Sequence, residues 1–190
     1  MFLARKPSEQ MIREFLLRQT NQDLSYGEAG LSQRRAAAGY IRDHNRIQLG
    51  RGQEIFQKAV QAVRRWEMFH MGWVRLCWPE TDIRVGATVA VLVHHCWFWS
   101  LNACRIVYVI EGTGAVQRYG FAYGTLADHS ECGEERFSVE WHRIDNSVWY
   151  DLLAFSRPNH RLAKVGYPFS RYLQRRFAQD SKKAMQRAVN

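Results

Sequence analysis

The chain has 190 residues, a formal net charge of +9, and 46% hydrophobic against 24% charged residues, the composition of one ordinary globular domain. No apolar run approaches the ~20 residues of a membrane-spanning helix, and Arg5, Lys6, Arg13 and Glu14 interrupt the N-terminal apolar residues, so no signal-peptide core is expected. Four cysteines without a secretory segment point to reduced thiols and a cytoplasmic protein, which excludes the disulfide-stapled class as composition excludes the collagen-like and disordered ones.

Residues 8–19 predict a helix, with Ser8 as N-cap and Met11, Ile12, Phe15 and Leu16 at helical spacing. A polar connection over 21–38 leads to a strand at Tyr40–Leu49. Gly50-Arg51-Gly52 turns the chain into a second helix at about 53–67, whose stripe holds Ile55, Phe56, Ala59, Val60, Val63 and Trp66. From Gly72 the period changes to two, with strands expected at Trp73–Trp78, Thr88–Phe98, Ala103–Glu111, Val116–Leu126, Glu135–Ile144 and Ser147–Phe155. In the fifth of these, Phe137, Val139 and Trp141 alternate with Arg136, Ser138 and Glu140, the pattern of a sheet with one buried face. Residues 159–188 read as a terminal helix with Pro168 at a kink or at the start of its second half, and an apolar stripe of Leu162, Val165, Phe169, Tyr172, Leu173 and Phe177.

This order predicts an α+β fold: a curved antiparallel sheet of six to seven strands gripping a long C-terminal helix, with N-terminal helices, in a single domain spanning 1–190. Such a helix-grip arrangement encloses space between sheet and helix. Aromatic residues on both phases of the strands provide walls for an apolar ligand or a well-filled core.

Charge is distributed unevenly. Residues 76–156 carry five Lys and Arg against ten acids, whereas residues 157–190 carry nine against one. A basic tail of this kind suits an anionic membrane surface or an acidic neighbour in the same chain. No zinc-finger spacing, RNP-type strand or basic zipper accompanies it, so sequence-specific nucleic-acid binding is not expected.

The segment Gly120–Phe137 (GFAYGTLADHSECGEERF), with SVWYDLLAFSRP, LQRRFAQDSKKAM and the earlier HNRIQLGRG, resembles the family known as domain of unknown function 1990, or uncharacterised protein family 0548. The similarity runs over about 26–187. The chain departs from the family pattern at Ser130 and Cys132. The resemblance implies a relation to the helix-grip (START or Bet v 1-like) ligand-binding folds, and it carries no assigned catalytic residue.

Three constellations stand out in the sequence. His129 with Glu131 and Glu134 is a candidate acid–base group, because an imidazole titrates near neutrality and a carboxylate orients it. Arg105, Arg46 and Arg157 are candidates to hold an acidic ligand group through the guanidinium fork. Tyr123, Trp73, Thr125 and Tyr108 are expected to line the cavity beside them. His94, His95 and Cys96, with Cys104 and Cys132, lack metal-ligand spacing, so neither a metal nor a cofactor is expected. The expected partner is a small apolar or amphiphilic ligand, with an enzyme on the same cavity and a peripheral anionic-membrane or scaffold protein as the alternatives.

Overall fold

The computed structural model describes residues 1–27, 29–33, 38–129, 131–158 and 167–190. Its strands are β1 (Phe2–Leu3), β2 (Ile41–Arg51), β3 (Val74–Cys77), β4 (Thr88–His95), β5 (Phe98–Gly112), β6 (Val116–Thr125), β7 (Glu131–His142) and β8 (Ser147–Pro158). They form one antiparallel sheet in the order β2-β8-β7-β6-β5-β4-β3, with β1 paired to the start of β5. The antiparallel meander from β3 to β8 is the predicted one, and the structure adds that β2 joins it beside β8. The two-residue β1, too short to show a period, is an addition.

Among the described residues three α-helices complete the fold: α1 (Glu9–Gln19), α2 (Gln53–Arg64) and α3 (Tyr167–Val189). Ser8 caps α1 as its sequence position requires, its hydroxyl accepting the Met11 N–H at 3.2 Å. α1 lies on the convex side of the sheet, where Ile12 and Phe15 pack with Leu92, Leu101, Ala103 and Leu126. α2 and α3 lie on the concave side with the main core. Residues 159–166, the start of the predicted terminal helix, lie outside the described residues together with Leu162 and Val165 of its expected stripe.

From Tyr167 onward the buried face of α3 is Ala178, Ser181, Ala184, Met185 and Val189. Phe169 and Tyr172, expected on that face, are 45% and 59% exposed. The reason is the size of the side chains at the contact: Ala178, Ser181 and Ala184 let the helix axis approach the sheet, and the Tyr150 and Ser181 hydroxyls meet at 2.8 Å. Pro168 is the second residue of α3, where its missing N–H leaves no helix bond unmade. The fold is thus α+β, a bent antiparallel sheet gripping its C-terminal helix. No helix among the described residues is long and apolar enough to cross a membrane.

Candidate functional site

Strand alternation sorts the concave face into two unlike halves. Toward the β7–β8 turn it is filled by rings. Phe137 is the hub, with centroids 5.3 Å from Phe121, 5.3 Å from Tyr123 and 5.4 Å from Phe69, and Phe69 lies 5.4 Å from Phe177 of α3. Phe121 and Phe137 are wholly buried, each worth ~2–3 kcal/mol of apolar burial.

Toward the first turns of α3 the floor changes character. In adjacent strands it is built of the small residues Gly133, Ala154 and Ser156, the last two partly exposed. Around them stand Asp43 of β2, Glu131 and Glu135 of β7 and Tyr123 of β6. Register places Tyr123, Glu135, Ala154 and Asp43 in one row across four strands. The first turns of α3 cross this end of the face: Arg171 holds Asp43 through both guanidinium nitrogens at 2.5 and 2.7 Å, and Gln174 donates to Ser156 at 3.2 Å.

Glu135 is the unusual group. Its carboxylate accepts the Tyr123 hydroxyl at 2.7 Å and makes no ion pair among the described residues. Burial, reinforced by the negative charge of Asp43 and only partly offset by the Tyr123 bond, pushes its carboxyl up to about 7. Burial likewise raises Glu131, which Ser170 and Arg171 of α3 partly compensate. This is therefore a carboxylate-bearing end of an otherwise apolar face.

Most of the residues singled out from the sequence lie elsewhere. Arg105 points to the convex side and closes the C-terminus of α1, its Nη2 donating to Gln19 O at 3.1 Å and Thr20 O at 2.8 Å. Replacing it by alanine should cost about 1–2 kcal/mol in a denaturant titration, through the two carbonyls it leaves bare, and leave ligand affinity unchanged. Arg46 is also on the convex side, paired with Glu140 at 2.7 Å and stacked on Trp149. Arg157 stacks on Tyr40 at 4.7 Å. Their alternation with buried neighbours on β2, β5 and β8 sends all three guanidinium groups away from the core.

Tyr108 likewise faces outward, sharing a 2.5 Å hydrogen bond with Ser32, because an irregularity between Ile106 and Tyr108 resets its phase. The Thr125 hydroxyl is spent on the Gly133 backbone and Ser25. Trp73 lies beside α3, donating to Asp180 at 3.0 Å under the Arg176 guanidinium, in an open groove of about 640 Å³ at the β3 edge of the sheet. Of the expected lining residues, Tyr123 stands at the carboxylate-bearing end, donating to Glu135.

The expected acid–base group is split. Glu134 lies on the convex face, 2% exposed, its two oxygens accepting from Tyr26, the Gly30 and Leu31 N–H groups, and both the N–H and hydroxyl of Ser32. His129 accepts the Glu131 N–H on Nδ1 at 2.9 Å, and burial with the nearby N-terminal ammonium pushes it down to about 4. His94 stacks on Trp99 on the convex side, and Cys104 and Cys132 belong to cores on opposite faces of the sheet.

In the sequence Glu135 stands out only as one member of the polar cluster at 123–135 and Asp43 does not stand out, although a signal was present. Glu135 shares its phase with Phe137, Val139 and Trp141, and Asp43 with Ile47 and Leu49, so each puts a carboxylate in a buried register.

A family model described as "Domain of unknown function (DUF1990)" matches residues 25–184. A UPF0548 protein of Dictyostelium discoideum is 37% identical over 208 aligned residues, covering 100% of this chain and 96% of that one. A UPF0548 protein of Arabidopsis thaliana is 32% identical over 157, covering 80% and 75%. Among solved structures, a hypothetical protein from Helicobacter pylori superposes with a TM-score of 0.56 at 11% identity, over 86% of this chain and 95% of that one, a likeness of fold alone. With its match spanning nearly all of the sheet and most of α3, this chain belongs to the DUF1990 family, also called UPF0548.

Proposed function

We propose that this protein binds a small, mainly apolar ligand in the hollow between the sheet and the first turns of α3. The ligand's body rests against the rings of Phe137 and Phe177, and its polar group donates a hydrogen bond to Glu135. The observation that carries this reading is the small-residue floor of Gly133, Ala154 and Ser156 beside a carboxyl that lacks an ion-pair partner among the described residues. A mostly apolar hollow with a few convergent polar groups is the usual form of a small-molecule site.

The acidic ligand group expected from Arg105, Arg46 and Arg157 is replaced in this reading. Those arginines turn to the convex side, and the groups around the hollow are Glu131, Glu135 and Asp43 with Arg171. A hydroxyl or amine suits that surface better than a carboxylate does.

Displacement of a hydrophobic dye, with native mass spectrometry of protein purified from its own host, tests the proposal. The wild type should bind dye or carry a co-purified species. Ala154→Trp should abolish binding by filling the floor, with the melting temperature falling by only a few degrees because Ala154 is partly exposed. Absence of both dye and guest, or unchanged binding in Ala154→Trp, overturns the reading.

A further inference from the structure

His95 ends β4 in the same phase as Val89, Val91 and Val93, which places it on the concave side. It is 8% exposed, stacked on Phe98 at 4.4 Å and 6.1 Å from the Phe169 ring in the first turn of α3. That turn also carries Ser170 and Arg171, which meet Glu131 and Asp43. His95 and the carboxylates are thus two banks of the first turn of α3.

The hydrogen bonding around His95 is incomplete in a particular way. Asn102 Nδ2 donates to Ser100 Oγ at 3.0 Å, and Ser100 Oγ lies 2.8 Å from His95 Nε2. Nε2 is the acceptor that the serine proton meets among the described residues, so the arrangement that pairs this proton sends it to Nε2. The neutral ring then carries its own proton on Nδ1. Nδ1 is buried and has no hydrogen-bond partner among the described residues. A buried donor left unpaired costs on the order of 1–3 kcal/mol, so a site that keeps one is built for a partner that arrives later. Ser100 and Asn102 are themselves 3% and 5% exposed, so this polar line is enclosed by apolar residues and fixes the ring's orientation.

We propose that His95 Nδ1 is a second ligand anchor, donating a hydrogen bond to a carbonyl-type acceptor on the ligand. The proposal rests on the ligand-binding reading above and adds an acceptor to the ligand's chemistry. A molecule with a donor and an acceptor on an apolar body, such as a hydroxy-ketone or an amide, would engage both banks.

The test compares 2-undecanone with undecane, which has the same carbon chain and no acceptor, and observes the His95 ring nitrogens by NMR. The free protein should show the Nδ1-protonated tautomer. The ketone should shift that nitrogen and bind about tenfold more tightly than the alkane, the effect of one hydrogen bond. His95→Phe should remove the tenfold preference and leave alkane binding alone. Ser100→Ala, a milder change, should weaken the preference by releasing the tautomer.

An Nε2-protonated ring in the free protein overturns the proposal. Equal binding of ketone and alkane overturns it too while leaving the hollow as a ligand site. Binding of neither probe, together with no dye binding, overturns both readings.

Discussion

Replacing Glu134 by glutamine should lower stability by about 3–5 kcal/mol, in the range found when one member of a buried charged network is removed. The two carboxylate oxygens accept five hydrogen bonds: three on Oε2 from Tyr26, Gly30 and Leu31 at 2.7 to 3.2 Å, and two on Oε1 from Ser32. Glutamine supplies an oxygen on one side only. In either orientation its amide NH₂ faces a backbone donor and leaves at least one N–H unpaired in a site that is 2% exposed. At about 2–4 °C per kcal/mol for a chain of this length, the melting temperature should fall by roughly 10 °C. Hydrogen exchange should show where the loss begins, at Gly30, Leu31 and Ser32, before the sheet opens. Tyr26→Phe removes a single donor and should cost about 1–2 kcal/mol, and its effect should largely vanish in the Glu134→Gln background because the pair is coupled. An unchanged melting temperature in Glu134→Gln would show that the network contributes nothing.

The same network explains much of the family motif in structural terms. An added Cβ on Gly124 would lie 2.1 Å from the Tyr26 hydroxyl, so the glycine is the gap through which Tyr26 reaches Glu134. Thr125 ties Ser25 to the Gly133 backbone from the adjoining strand. Tyr-Gly-Thr and Gly-Glu-Glu therefore secure the segment at 24–33 to the convex face, while Tyr123 and Glu135, their neighbours in sequence, point through to the concave one. A motif on a strand serves two faces at once, and sequence spacing alone merges them into one polar cluster. That merging is what made His129, Glu131 and Glu134 look like a single acid–base group.

Elements governed by local periodicity were readable in the sequence. Ser8 with its apolar spacing sets α1, and alternation around Phe137 sets β7. The strand ends shifted where alternation is weak: β5 begins at Phe98, not Ala103, and β7 at Glu131, not Glu135. Arginines on strands could not be assigned to a face until register was known, because a one-residue difference in phase reverses the direction of a side chain. Arg105 next to Cys104 shows this: the thiol lies in the concave core and the guanidinium reaches α1 on the other side. The more informative sign was the reverse one, an acid in an apolar phase, as at Glu135 and Asp43.

Glu135→Gln should stabilise the protein at pH 8 and do so much less at pH 5. In the folded chain, burial and the charge of Asp43 raise this carboxyl from 4.5 to about 7, so the native state holds the proton more tightly than the unfolded state does. Below about pH 4.5 both states are protonated and the group has no pH-dependent effect. As the pH rises through the interval to 7, the unfolded chain gives up its proton first and native stability falls, reaching a loss of about 3 kcal/mol above pH 7. Glutamine keeps the acceptor for the Tyr123 hydroxyl and never ionises, so the difference between variant and wild type should grow from about 1 kcal/mol at pH 5 to about 3 kcal/mol at pH 8. Taking the difference also removes other titrations, such as that of His129, whose depressed value of about 4 works in the opposite sense by adding stability as the pH rises toward 6.5. A difference that is the same at both pH values would show that Glu135 ionises as an exposed carboxylate does. A guest that donates a hydrogen bond or a positive charge to the ionised Glu135 would restore wild-type stability at pH 8 and not at pH 5, so thermal shifts at the two pH values would report both the group and its ligand.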